Sequence, residues 1–201
     1  VASTLAGANL TETRLADDER MQSVTVAQTQ QDINEEEARI LSWRAPLRLQ
    51  SPDGGPVRER LISRTSPQAD DAVVVANAGQ LGYFRVAYDH AAFEPLVASF
   101  ARLTAIDQYG LLKDGLALGM GGVEPMANYL RLTSALPADA DAVVWREQAR
   151  TLAGIEGYYA PGPTRIAFRA WAAHVLAPVL TRVGFDARAG EPSADAVLRE
   201  T

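Results

Sequence analysis

The sequence predicts a chain that is β first and α afterwards: a small antiparallel β-sandwich followed by an αα-superhelical, solenoid-like segment. Three observations carry this expectation. Up to Asp89 the apolar residues come in short alternating runs broken by Asp, Asn, Gly and Pro, the pattern of strands and turns. After Asp89 they recur at helical spacing, starting with Phe93, Leu96, Val97 and Phe100. The two patterns meet at Leu81–Asp89, which reads as one strand with a stop at each end. Gly82, Phe84, Val86 and Tyr88 share the side of the pleat that can join a core; Tyr83, Arg85, Ala87 and Asp89 share the other. The expected organisation is a lead-in over 1–20 with an edge strand, a β-sandwich over 21–89, and a helical domain over 90–201, truncated at its C-terminus.

Composition narrows the classes. The chain has 201 residues, 47% of them hydrophobic, enough for a sizeable core. Its net charge of −6 comes without any cluster of Lys or Arg, which argues against a nucleic-acid or anionic-membrane partner. With no cysteine there are no disulfides, thiolate metal sites or thiol nucleophiles, and the compartment stays open. No apolar run approaches the ~20 residues that span a bilayer. Val1–Leu5 lacks the basic and apolar regions of a signal peptide. The missing initiator methionine and the ending at Leu198-Arg199-Glu200-Thr201 read as a piece of a longer protein.

In the first half, Ser23–Gln28 alternates as a strand, and Asp32–Glu37 is an acidic turn pivoting on Asn34. Ile40–Leu49 follows, with Leu41, Trp43, Ala45, Leu47 and Leu49 on one parity; Pro46 removes a ladder donor and points to an edge or a bulge. Ser51–Pro56 is a strong turn, because Asp53-Gly54-Gly55 supplies positive φ cheaply, and Val57–Ser63 returns as a hairpin partner. After a loop at Ser66–Asp71, Ala72–Ala76 is an apolar run of buried-strand length, and Asn77–Gln80 turns into Leu81.

In the second half, Pro95 predicts a helix that begins near Glu94. Asp107 is the expected cap of the next, with Leu111/Leu118 and Leu112/Leu116 buried and Gly119, Gly121 and Gly122 at its end. Val123, Met126, Ala127 and Leu130 set a third, stopped before Pro137. Asp139 or Asp141 caps a fourth, carrying Trp145, Ala149, Leu152 and Ala153 and ending around Gly154–Gly157. Tyr158–Pro163 is a rigid loop before a fifth helix with Phe168, Trp171, Ala172, Val175 and Leu176, which Pro178 must kink or end. Gly184–Pro192 is loop, and a last helix starts at Ala194. Roughly five or six helices with short loops suggest a solenoid, although spacing alone does not separate that from a closed bundle.

The residues carry no recognisable catalytic constellation, and no catalytic or metal-ligating residue is assigned. His90 and His174 lie far apart, not one helical turn apart as a His-Glu-x-x-His zinc helix requires. No Gly-x-Ser-x-Gly elbow presents a nucleophile. Gly119-Met120-Gly121-Gly122 lacks the lysine of a phosphate loop and ends a helix. His90 follows Asp89 at a helix start, where capping is the plain role, and His174 reads as a surface or core-rim residue. Arg85 either holds a substrate carboxylate or ties loops together through Asp71 or Asp89. Asp32 with Glu35, Glu36 and Glu37 either chelates a hard cation or is a solvated turn. Tyr158, Tyr159 and Trp171 read as packing; exposed aromatics in that loop would point to ligand contact.

Gly82-Tyr83-Phe84-Arg85-Val86-Ala87-Tyr88-Asp89 resembles the Gly-Tyr-Tyr-Arg-Val-Asn-Tyr-Asp signature of zinc aminopeptidases related to aminopeptidase N and the puromycin-sensitive enzyme. It departs at Phe84 and Ala87. Val24–Gln28 is similar to that family's Val-Thr-Leu-x-Gln strand, and Trp43-x-x-Pro46-Leu47 to its Trp-x-Ile-Pro segment. Asn77, Gly79, Gln80 and Gly82 match its approach to the signature, and Leu111-Leu112-x-Asp114 its Leu-Leu-x-Asp helix, with Gln108 where the family has arginine. Trp145, Gly184, Glu191 and Leu198-Arg199 resemble later positions. The resemblance spans roughly 22–200.

That resemblance implies a β-sandwich linking a thermolysin-like catalytic domain to a helical solenoid that covers the active site. The zinc ligands and the Gly-x-Met-Glu-Asn substrate loop of the family lie N-terminal to this chain, so no catalytic residue carries over. No cofactor is expected in the chain itself, and zinc is expected in the missing catalytic domain. The implied partners are that domain, in the same polypeptide, and a peptide substrate. The expected role is the non-catalytic C-terminal portion of an aminopeptidase that removes N-terminal residues. The alternatives are a non-enzymatic scaffold of the same build and a binding module using the Tyr158–Pro163 loop.

Overall fold

The computed structural model describes residues 6–10, 26–30, 45–62 and 75–201. Among the described residues strands precede helices, and the changeover falls at Asp89: the last described strand ends at Tyr88 and the first described helix begins at His90. The strands are β1 (Ala6–Leu10), β2 (Val26–Gln30), β3 (Ala45–Gln50), β4 (Arg58–Ile62), β5 (Val75–Ala76) and β6 (Arg85–Tyr88). The helices are α1 (His90–Ser99), continued by a 3-10 turn at Phe100–Arg102, then α2 (Ala105–Met120), α3 (Met126–Ala135), α4 (Ala142–Glu156), α5 (Pro163–Val183) and α6 (Ser193–Arg199). No described helix is long and apolar enough to cross a membrane. The chain divides into two compact units, Val1–Leu132 and Thr133–Thr201.

In the first unit the described strands make two three-stranded sheets, in the orders β2-β1-β6 and β4-β3-β5. The second sheet is antiparallel throughout; in the first, β1 pairs antiparallel with β2 and parallel with β6. The strand in the lead-in is therefore central to its sheet and not an edge. The hairpin joining β3 and β4 forms as its turn chemistry requires: the Gly54 amide donates to the Ser51 carbonyl at 3.0 Å, and Gly54 and Gly55 take φ of 89° and 101°. Leu47 and Leu49 are buried, while Pro46 lies on a stretch of β3 whose one described neighbour is β4, because β5 reaches only Leu49 and Gln50. The expected acidic turn at Asp32–Glu37, the parity positions Leu41 and Trp43, and the loop at Ser66–Asp71 lie outside the described residues.

Leu81–Asp89 is not one strand. Leu81–Phe84 bends, and β6 begins at Arg85. Strict alternation fails as well, since Val86, Ala87 and Tyr88 are all buried, with α1 and α2 both packed against β6. The helix after it begins at His90 and not near Glu94. Asp89 caps it by accepting the Ala92 amide at 2.7 Å, and Pro95 is carried inside it. The burial of Phe93, Leu96 and Phe100 outweighs the single hydrogen bond that Pro95 forfeits.

The N-cap of α2 is Thr104, three residues before the expected Asp107. Its C-terminus closes as a Schellman motif: Gly122, at φ 70°, donates to the Gly119 carbonyl, and Val123 donates to the Leu118 carbonyl. Leu111, Leu112 and Leu118 are buried, and Leu116 only partly. Val123 therefore belongs to that turn and not to α3. The buried positions of α3 are Tyr129, Leu132 and Thr133, a different face from the expected Met126, Ala127 and Leu130.

In the second unit Asp141 caps α4, accepting the Val143 amide at 2.8 Å. Its core residues are Val144, Trp145, Gln148, Leu152 and Ile155; Ala153, expected inside, is exposed. Pro163 opens α5 at its first turn, where a missing N–H is harmless. Pro178 neither ends α5 nor stops its burial: the helix runs to Val183, and Val179 and Val183 beyond the proline are buried. Arginines then satisfy the last carbonyls of α5. Arg188 donates to the Val183 carbonyl at 2.7 Å, and Arg199 donates to the Val183 and Gly184 carbonyls while pairing with Glu191.

Candidate functional site: a strand–helix junction

Among the described residues of the first unit a polar cluster surrounds β6. It begins with Asn77, buried and at φ 59°. Its Oδ1 accepts the Gly82 amide at 2.7 Å and its Nδ2 donates to the Gly82 carbonyl at 3.0 Å, so one side chain clamps both backbone polar groups of a single residue. The loop closed in this way turns Leu81 and Tyr83 outward, 75% and 79% exposed. Gly82 is needed because a Cβ there would lie 2.8 Å from the clamping oxygen and 2.2 Å from the Phe84 ring.

Three carboxylates from the helical side complete the cluster. Asp107 receives the Gly79 amide at 2.7 Å and the Thr104 hydroxyl at 2.6 Å, tying the start of α2 to the turn before β6. Asp114, on the same buried face of α2 as Leu111 and Leu118, receives the Val86 amide at 3.0 Å and the Arg85 guanidinium at 3.2 Å. Glu124, placed just past the Schellman turn, receives the Tyr88 amide at 2.9 Å. The Tyr88 hydroxyl reaches β5 and accepts the Ala76 amide at 2.9 Å, so this residue bonds to both described sheets of its unit.

Burial sets the acid–base character of the cluster. It pushes the Asp114 carboxyl up to about 6, against the Val86 amide and Arg85, which favour the charged form. The Glu124 carboxyl is raised for the same reason, and the Tyr88 hydroxyl is held well above the usual tyrosine range. The groups anchor backbone amides; none presents a nucleophile. Among the described residues no group of three or more His, Asp or Glu side chains is gathered as a metal ion would need.

Arg85 ties elements together, as its structural reading expected, but its partners are Asp114 and the Lys113 carbonyl, not Asp89; Asp71 lies outside the described residues. His90 stands beside Glu94 on the surface of α1, and Asp89 does the capping. His174 is exposed on α5. The Gly119–Gly122 stretch is the helix stop that its missing lysine suggested. In the second unit Tyr159 packs on Phe168, and Phe168 on Trp171, with ring centroids 5.1 and 5.6 Å apart, while Tyr158 is 75% exposed. The Asp32–Glu37 carboxylates are not described. A separate open cleft of 660 Å³ lies between the β3–β4 hairpin turn and α1, where Arg102 pairs with Asp53 at 2.9 Å.

Sequence reasoning missed Glu124 altogether and took Asp114 only from its place in a motif. A signal for Asp114 was present. A carboxylate in register with Leu111 and Leu118 on a core-facing stripe demands a partner.

The family described as ERAP1-like C-terminal domain matches residues 73–201, which contain this junction and every described helix. The chain belongs to this family. Among curated relatives, the Tricorn protease-interacting factor F2 of Thermoplasma acidophilum is 27% identical over 157 residues, covering 78% of this chain and 19% of its own length. Aminopeptidase M1-A of Oryza sativa subsp. japonica is 30% identical over 136 residues, covering 66% of this chain and 16% of its own length. The chain thus spans less than a fifth of either relative.

Several residues that carry the family resemblance make polar bonds that hold the fold. Asn77 and Gly82 form the clamp, Arg85 and Asp114 the ion pair, and Glu191 and Arg199 the lock on the end of α5. Trp145 donates from its indole to the Pro137 carbonyl at 2.8 Å. Gln108, where the resemblance led to arginine, is buried and donates to the Phe100 carbonyl at 3.1 Å.

Proposed function

We propose that this chain is the non-catalytic C-terminal portion of a zinc-dependent aminopeptidase, linking and covering the catalytic domain of the same polypeptide. The observation that carries this reading is the family match over the junction and the described helices, beside the likeness to a relative named as an aminopeptidase. In this proposal the two sheets, β1 included, form a β-sandwich that ends at residue 89, and residues 90–201 begin an αα-superhelix. The Tyr88–Ala76 bond between the two sheets and the carboxylate grip of α2 on β6 support a rigid mount of α2 on the sandwich. Leu81 and Tyr83, held outward by the Asn77 clamp, supply apolar surface for the rest of the protein.

The work of such a segment is enclosure. A chamber walled off from water and from long or folded substrates sharpens selectivity without taking part in bond chemistry. Zinc would activate the attacking water in the catalytic domain. No step is assigned to the residues present here; at the junction Asp107, Asp114 and Glu124 are engaged with backbone amides.

The test has two parts. The purified chain is incubated with zinc and aminoacyl-arylamide substrates; robust hydrolysis would show an active site within it and overturn the reading. The coding sequence upstream of Val1 is then read. A His-Glu-x-x-His helix supports the aminopeptidase, and its absence supports a scaffold that lacks a peptidase domain.

A further inference from the structure

We propose that the junction at β6 is an acid-tightened latch, in which Asp114 and Glu124 hold the outer edge of the strand more firmly when protonated than when charged. The geometry is that of an edge strand closed by side chains. β6 pairs with β1 along one edge. Val86 and Tyr88, two residues apart, send their amides to the opposite edge, where α2 and the turn after it place one carboxyl against each, at 3.0 and 2.9 Å. A carboxyl oxygen accepts an amide hydrogen in either protonation state, so acid does not break these two bonds.

What acid removes is charge in a buried place. The groups facing Asp114 are Arg85 and Tyr88 on β6 and Glu124 beyond α2, and Asp107 adds a third carboxylate near Tyr88. Lys113, the neighbouring cation, lies 5.9 Å above the Tyr109 ring. On α1, Asp89 is engaged as a cap, and His90 and Glu94 face each other with Arg131 on Glu94. The described residues of β1 and β5 carry no ionisable side chain. Among the described residues three carboxylates thus converge around one strand with one guanidinium, itself 35% exposed and partly hydrated. Protonation relieves both desolvation and mutual repulsion, and Arg85 regains water on losing its partner.

The direction agrees with the raised carboxyl of Asp114, about 6 when folded against 3.8 in the free residue. A raised folded value means that the closed state takes up a proton, so closure gains as pH falls through about 6. From pH 7 to pH 5 that single group makes opening about tenfold rarer.

The test is amide hydrogen exchange on the 201-residue chain, read by NMR at pH 7 and pH 5 and corrected for the intrinsic exchange rate. Val86 and Tyr88 should be about tenfold better protected at pH 5, and Leu152 in α4 should not follow. In D114N the amide oxygen still accepts the Val86 hydrogen, so protection stays but its pH dependence shrinks; E124Q does the same at Tyr88. Equal or lower protection of both amides at pH 5 overturns the latch. So does a D114N protein that keeps the full pH dependence, or an equal rise at Leu152. Should D114N fail to fold, E124Q and the midpoint of the unaltered chain's profile decide, and a midpoint near 4 overturns it.

Discussion

The Tyr88 hydroxyl accepts the Ala76 amide at 2.9 Å, and both residues are buried. The tyrosine sits in β6 and the amide belongs to β5, in the other three-stranded sheet. Removing the hydroxyl leaves a buried donor that no water replaces. Y88F should therefore lose about 1–3 kcal/mol of stability, measured by urea unfolding, although it keeps nearly all the buried ring. A variant as stable as the parent would mean that Ala76 finds another acceptor.

Gly82 and Gly110 separate a close approach that matters from one that does not. A Cβ at Gly82 meets the clamping oxygen of Asn77 and the Phe84 ring; at Gly110 it meets only the end of the Gln80 side chain, at 2.0 Å. G82A should cost about 1–3 kcal/mol through overpacking. In G110A the glutamine swings away and α2 gains helix propensity of about 1 kcal/mol, leaving the variant near neutral. Thermal melts of the two variants side by side give the comparison.

Pro178 lies on an exposed face of α5, five residues from its end. P178A restores an amide to the helix and removes the ring from the His174 carbonyl. It should stabilise the second unit by about 1–3 kcal/mol, visible as a rise in the midpoint of its melt. No change would imply that α5 already absorbs the proline through a bend.

Glu156 is held down to about 2 by its hydrogen bonds to Arg165 and then Arg169, against an ordinary value of 4.5. A depressed folded value contributes stability above the ordinary value and loses it as pH falls toward 2. The advantage of the parent over E156Q should therefore be present at pH 6, shrink below about 4.5 and vanish near 2. Because the site is exposed to solvent, added salt should reduce that advantage at pH 6. Paired denaturation curves across pH and salt provide the check.

What the sequence made legible was local, and what it hid was distant. Ser51–Pro56 turns as read because Gly54 and Gly55 carry their φ preference within the loop itself. Asp141 and the Gly119–Gly122 stop were legible for the same reason. Helix starts slipped where two candidates competed: Asp89 outranked Pro95, and Thr104 outranked Asp107, whose carboxylate was claimed by the Gly79 amide. The α3 stripe was misread because Val123 is held by the preceding turn, which shifts the helical register onto Tyr129 and Leu132. Arg85 found Asp114 and not Asp89 because its true partner lies a helix away. Of the junction, the strand was visible in its motif; the grip of Asp107, Asp114 and Glu124 on its amides arises only once α2 is laid alongside.

The turn that closes α2 also acts as a ruler. Gly122 reverses the chain at φ 70°, and Glu124 comes into line with the Tyr88 amide two positions later. Lengthening that stretch by even one residue would carry the carboxylate past its target, so this short connector should tolerate changes of side chain far better than changes of length.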